Sequence, residues 1–165
     1  ISRISAAKPK IADYPFTTLV PNLGVVGWGE GRSFVAADIP GLIEGAAEGK
    51  GLGHQFLGHV ERTRLIMHII DPAPMDDTRD PFDDYQKVVT ELKKFNSEMG
   101  DKEQVIALNK SDLFGGNDGA AEIAKDLEEK LGHPVFTISA VTGEGLDSLV
   151  YQLGTTLDRI KKSEE

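Results

Sequence analysis

The sequence predicts a three-layer α/β domain built on a mainly parallel sheet with one antiparallel strand. Three observations predict it. Leu65-Ile66-Met67-His68-Ile69-Ile70 and Gln104-Val105-Ile106-Ala107-Leu108 are continuous, largely apolar runs of strand length, the pattern of strands buried on both faces. Helical patterns alternate with these runs, which favours parallel strand pairing. Two further strand-like runs, Leu23–Trp28 and Ser33–Asp38, are joined by Gly29-Glu30-Gly31-Arg32, a connection suited to a tight antiparallel hairpin.

The elements follow in order. Ile1 to Ala7 reads as the tail of a helix with no N-cap in view. Pro9 to Pro21 contains three prolines and the pair Thr17-Thr18, which predicts an exposed loop. The hairpin comes next, and after it the glycine-rich, mobile stretch Asp38 to Gly53 and a helix over Gly53–Arg62. The strand Leu65–Ile70 is closed by Asp71-Pro72. Asp80-Pro81 opens a helix, with the aspartate as N-cap and the proline in the first turn. Tyr85, Val88, Leu92, Phe95 and Met99 form its apolar face. After the strand Gln104–Leu108 the spacing predicts a helix over Ala120–Leu131, with Gly132 as the residue that ends it. Pro134–Ile138 is a short strand. Gly145–Lys161 is a final helix whose apolar face carries Leu146, Leu149, Leu153, Leu157 and Ile160.

Composition bounds the function. A chain of 165 residues with 39% hydrophobic and 27% charged residues fits one globular domain, spanning 1–165. No apolar stretch approaches the roughly 20 residues of a membrane span. There are no cysteines, so disulfides and thiolate chemistry are excluded and a reducing, cytoplasmic location is compatible. The net charge of −9 opposes direct binding to a nucleic-acid backbone. It does not oppose a nucleotide, whose phosphates are held by backbone N–H groups, a lysine and Mg²⁺.

Three short strings follow strands, where ligands of parallel sheets bind. Asn109-Lys110-Ser111-Asp112 ends the run Val105–Leu108 and has the form N-K-x-D. A carboxylate such as Asp112 accepts from guanine N1–H and from its exocyclic amine, and adenine offers neither donor there. An acceptor left unpaired by the wrong base makes discrimination steep. The Lys110 stem can lie against the purine ring, and Asn109 can brace neighbouring loops. Asp38-Ile39-Pro40-Gly41 has the form D-x-x-G: the aspartate suits Mg²⁺ through a water, and the Gly41 N–H suits a γ-phosphate. Ser139-Ala140-Val141 follows the last strand, and the Ala140 N–H suits guanine O6. Thr17 or Thr18 can place a hydroxyl on Mg²⁺. Each string has a plain alternative as a turn, a capping aspartate or solvated loop residues.

Asp13-Tyr14-Pro15-Phe16-Thr17-Thr18-Leu19, Asp38 to Ala46 (D-I-P-G-L-I-E-G-A), Gly51-Leu52-Gly53-His54-Gln55-Phe56-Leu57, the N-K-x-D string and Ser139-Ala140 occur in this order. Together they resemble the G domain of the Obg family of GTPases, over essentially the whole chain. The resemblance implies a Ras-like P-loop fold. It implies that Phe16, Thr17, Thr18, Leu19 and Val20 form a first switch, with Thr18 as Mg²⁺ ligand. Asp38, Ile39, Pro40 and Gly41 would open a second switch, with Asp38 on Mg²⁺ through water. Asn109, Lys110, Ser111, Asp112, Ser139, Ala140 and Val141 would bind guanine. It also implies slow GTP hydrolysis used in large ribosomal subunit assembly and stress control of growth, with GTP, GDP and the large subunit as partners, and a monomeric protein off the membrane.

The chain departs from that pattern in two ways. It carries no G-x-x-x-x-G-K-[ST] string, and Ile1 to Ala7 match the helix that would follow one, so a fragment beginning just downstream is expected. A polypeptide of these residues alone is expected to bind GTP weakly and not to hydrolyse it. The position after D-x-x-G, where many GTPases carry a glutamine that orients water, is Leu42. The catalytic group is therefore unassigned; Glu44 is one candidate, and a partner can supply the group in trans. A nucleotide-controlled binding module with negligible hydrolysis is the alternative reading. A different GTPase subfamily and a non-nucleotide structural domain are further ones.

Other features read as ordinary structure. Gly49-Lys50-Gly51-Leu52-Gly53 lacks the third glycine and the leading strand of a dinucleotide loop. His54 and His59 fall on different helix faces and make a poor zinc pair. His68 is a hydrogen-bonded core histidine. Asp76, Asp77, Asp80, Asp83 and Asp84 lack Ca²⁺-loop spacing and read as a solvated loop and helix start.

Overall fold

The computed structural model describes residues 1–5, 10–11, 22–38, 58, 60–73 and 78–165. The expected positions Phe16 to Val20, Ile39 to Gly41, Leu42, Glu44, Gly49 to His54, His59, Asp76 and Asp77 lie outside them. The chain divides into two compact units, 1–64 with 87–102 and 65–86 with 103–165.

In the first unit, β2 (Asn22–Trp28) and β3 (Arg32–Ala37) form the expected hairpin, in register from Leu23 opposite Ala37 to Trp28 opposite Arg32. Gly29 and Gly31 carry the turn with φ of 55° and 65°, a region that costs glycine nothing. Val26 and Trp28 are buried while Val25 and Gly27 face outward, the two-residue alternation of a strand. The Arg32 guanidinium stacks 3.7 Å above the Trp28 ring. Ile1 to Ser5 make one turn, with Ser5 N–H donating to Ile1 O at 3.0 Å. This turn lies against Gly24, where a Cβ would come within 2.7 Å of Ile1 Cγ2, so only glycine allows the approach.

The stretch read as an exposed loop contains a further strand, β1 (Lys10–Ile11), paired antiparallel with Leu23 and Asn22. The prolines flank this dipeptide rather than interrupt it, so its N–H groups remain available to β2. Among the described residues the antiparallel part thus comprises three strands in the order β1-β2-β3. Gly58, Val60 and Glu61 are helical, at the end of the span predicted over Gly53–Arg62. Lys102 Nζ caps that helix end, donating to the carbonyls of Val60 at 3.1 Å and of Glu61 and Thr63 at 2.5 Å.

The second unit is built on a parallel sheet, β4 (Leu65–Ile70), β5 (Glu103–Leu108) and β6 (Val135–Thr137), with β5 central. Val105 to Leu108 are buried, as an all-apolar central strand should be. β4 departs from the expectation of burial on both faces: His68 and Ile70 are buried, but Ile69 is 58% exposed. Among the described residues β4 is an edge strand, so one of its two hydrogen-bonding sides is unpaired.

α1 (Pro81–Phe95) begins where Asp80 caps it, Asp80 Oδ1 accepting from Phe82 N–H at 2.7 Å. The helix does not run on to Met99. Asn96 adopts extended backbone and its side chain accepts from Glu98 N–H, capping a new short helix, α2 (Ser97–Gly100). A side chain that competes for backbone donors ends one helix and starts the next. Leu92 and Met99 are both buried, so the apolar spacing survives the break.

α3 (Asn117–Leu131) packs along β6 and stops at Gly132, whose φ is 70°. α4 (Leu146–Glu164) buries Leu146, Leu149, Leu153, Gly154 and Thr156. Its Arg159 pairs with Glu103 at the start of β5. Among the described residues no helix is long and apolar enough to cross a membrane.

Candidate functional site

The carboxyl ends of β5 and β6 carry two of the strings singled out above. Beyond Leu108 the ladder continues for one bond, Asn109 N–H donating to Ile70 O at 2.9 Å. The backbone then reverses at Lys110, whose φ of 62° and ψ of 31° are left-handed. It is the one non-glycine residue with positive φ among those described, a conformation that costs about 1 kcal/mol. A 3-10 turn over Ser111–Phe114 follows. Ser111 is fully buried, and its N–H donates to Ile138 O at 3.1 Å, which ties the turn to the end of β6. Asp112, the next residue, is exposed.

The β6 side is equally fixed. Ser139 is buried; its N–H donates to Glu144 O at 2.9 Å and its carbonyl accepts from Gly143 N–H at 2.8 Å. Its hydroxyl donates to Asp112 Oδ1 at 2.7 Å and accepts from Thr142 N–H at 3.1 Å. Ala140 N–H donates to Asn109 Oδ1 at 3.0 Å. Asn109 and Asp112 are therefore each joined to the Ser139-Ala140 loop by one hydrogen bond. The Ala140 N–H, read from the sequence as a donor to a base, is engaged within the chain. Val141 stands 79% exposed beside it, and Leu113 61% exposed beside Asp112.

The hydroxyl of Ser139 leaves Asp112 with acceptor capacity to spare, since each carboxylate oxygen has two lone pairs. Oδ1 is anchored from below by a buried group while the residue stays open to solvent. That arrangement suits two convergent donors on the edge of a heterocyclic base.

Two participants escaped the sequence reading. One is the Ser139 side chain, since only its place in the string was noted. The other is Asp71. Its Oδ2 accepts from Lys110 Nζ at 2.7 Å and its Oδ1 from Ala73 N–H at 3.0 Å. Burial pushes the Asp71 carboxyl up, but the hydrogen bonds from Lys110 and Ala73 N–H, together with the positive charges of Lys110 and Arg79, outweigh this and hold it below the usual range. The available signal was positional: an aspartate closing one strand, beside a strand that closes in N-K-x-D.

Asp38 lies just past β3, exposed. No group of three or more histidine, aspartate or glutamate side chains able to hold a metal occurs among the described residues. A lone exposed carboxylate fits Mg²⁺, which keeps most of its waters and takes one or two protein oxygens beside substrate phosphates.

Paired loops at the carboxyl ends of adjacent parallel strands, one bearing N-K-x-D and the other S-A, belong to an α/β domain with the P-loop GTPase fold. The chain belongs to the 50S ribosome-binding GTPase family, whose model matches residues 1–110, and within it to the Obg type. It is 54% identical over 160 residues to GTPase Obg of Bacillus velezensis, covering 96% of this chain and 36% of that protein. It is 55% identical over 162 residues to GTPase Obg of Desulfitobacterium hafniense, covering 97% and 37%. The chain thus spans little more than a third of these relatives. In fold it is similar to an Era variant of Aquifex aeolicus solved with GDP and aluminium fluoride. The TM-score is 0.65 at 21% identity, over 92% of this chain and 50% of that one.

Proposed function

We propose that the protein carrying this chain is a GTP-hydrolysing molecular switch that acts on the large ribosomal subunit, in its assembly and in stress control of growth. It works as a Mg²⁺-dependent, cytoplasmic monomer. The observation that carries the nucleotide reading is the meeting of the two loops, through the bonds of Asp112 to Ser139 and of Asn109 to Ala140. Asp112 accepts from guanine N1–H and the 2-amine, the Lys110 stem lies along the ring, and guanine O6 takes a share of the Ala140 N–H. Ser139 and Asn109 keep these groups in place before the nucleotide arrives, so little ordering remains at binding. Thr18 and Asp38 would hold Mg²⁺, which supplies charge neutralisation on the phosphates when bound. Phe16 to Val20 and Asp38 to Gly41 would contact the phosphates, as the resemblance implies. The family description, 50S ribosome-binding, supports the large subunit as partner.

Exchanging Asp112 for asparagine tests the base reading. Xanthine carries a carbonyl where guanine carries its 2-amine. An asparagine amide can donate to that carbonyl while its oxygen still accepts from N1–H. The Asp112→Asn protein should lose affinity for GDP by about a hundredfold and gain affinity for xanthosine diphosphate. Equal loss for both nucleotides would remove Asp112 from base reading.

Leu42 favours a second reading. An apolar residue after D-x-x-G cannot orient water, so the protein would be a nucleotide-controlled docking module with negligible hydrolysis of its own. Phosphate release from Mg²⁺-GTP, measured with and without large ribosomal subunits, separates the two. Stimulated release supports the switch that hydrolyses; flat release under both conditions supports the docking module.

A further inference from the structure

We infer that Asp71 is a positioning residue of the guanine site: its carboxylate holds the Lys110 ammonium so that the lysine stem stands ready as a wall for the purine ring. The inference rests on the reading of Asn109 to Asp112 as the base-binding element. The two side chains are 39 residues apart in sequence. The parallel register brings them together, since Ile70 lies opposite Leu108 and Asn109 N–H bonds to Ile70 O. Both chains then leave the same edge of the sheet one residue later.

Each end of the lysine side chain is fixed by a separate device. Its backbone is held in the left-handed turn at φ 62°. Its ammonium lies 2.7 Å from Asp71 Oδ2. The carboxylate is itself oriented, because Oδ1 is committed to Ala73 N–H. A lysine with both ends set has few rotamers left for the four methylenes between them. Free in solvent, that side chain would have to be ordered when a base arrived, at a cost in affinity.

The pair is partly exposed, 39% on the lysine side and 42% on the aspartate side, so its effect on fold stability is small. Its effect belongs in binding. Lys110 lowers the Asp71 carboxyl against the upward push of burial, so the anchor is charged at neutral pH.

The test is a double-mutant cycle in the full-length natural protein, read by calorimetric titration with GDP and with ADP. Asp71→Asn keeps an oxygen for Ala73 N–H and removes the charge that holds Lys110. It should weaken GDP binding about threefold, with an unfolding midpoint close to that of the wild type. Asp71→Glu, which restores the charge, should recover part of the loss. In a Lys110→Ala background Asp71→Asn should have no further effect. An unchanged GDP affinity in Asp71→Asn overturns the inference. So does a loss of the same size with and without Lys110, because Asp71 would then act by another route. The ADP arm separates the two levels: a wild-type protein that binds ADP as well as GDP overturns the guanine reading itself.

Discussion

Acidification should destabilise this protein through one residue, His68. The imidazole sits in β4 with 8% of its surface exposed, its ring centroid 4.8 Å from that of Tyr85 in an edge-on arrangement. Among the described residues Nε2 has no hydrogen-bond partner. Burial lowers its pKa from 6.5 to about 4, against the opposing pull of Gln104 and with a small further push from His133. A folded pKa below the unfolded one means that protons favour the unfolded chain. The associated stability is fully present above about pH 6.5 and is lost as pH falls from there toward 4. At about 1.4 kcal/mol for each pH unit, the full loss is about 3 kcal/mol, and the part between pH 7 and pH 5 is about 2 kcal/mol. Urea unfolding at those two pH values, on the wild type and on His68→Leu, measures it. Carboxylates contribute to both proteins and cancel in the comparison. The wild type should lose about 2 kcal/mol more than the variant. Equal losses would refute the argument and mean that the imidazole can reach water when charged.

Three further predictions concern the loops. Ser139→Ala removes the donor on Asp112 Oδ1 and strands the Thr142 N–H, and should weaken GDP binding about fivefold in a titration while leaving any ADP binding unchanged. Lys110→Gly and Lys110→Ala lose the same side-chain contacts, but glycine accepts the left-handed backbone; chemical denaturation should find the glycine variant more stable by about 1 kcal/mol. At Gly119 a Cβ would fall 1.4 Å from Phe114 O, inside the turn that carries Asp112, whereas at Gly27 it would meet nothing within 4 Å. Thermal unfolding should show Gly119→Ala destabilised by about 2 kcal/mol or more and Gly27→Ala near neutral.

Much of the architecture was legible because its signals are local. β4 was read to the residue, since Asp71-Pro72 punctuates an apolar run. Asp80 and Gly132 mark helix ends by chemistry that acts within a few residues. The hairpin followed from its glycines. The misreadings share a cause. Apolar spacing from Tyr85 to Met99 suits one long helix, and the break at Asn96 turns on which backbone donor its side chain takes. Lys10–Ile11 became a strand only because β2 offered an edge to pair with. Burial of β4 depends on a neighbour, which no pattern within β4 can reveal.

The candidate site divides along the same line. Which residues could read guanine was visible in the chain, because the N-K-x-D and S-A strings state their chemistry in residue type and order. What holds them was not. The bonds of Ser139 to Asp112 and Asp71 to Lys110 span 27 and 39 residues, and both depend on three strands aligning in parallel with one register. Short-range order is encoded by neighbours a few bonds apart, whereas the choice of a distant partner is settled only when a shared core forces separate strands to end at one edge.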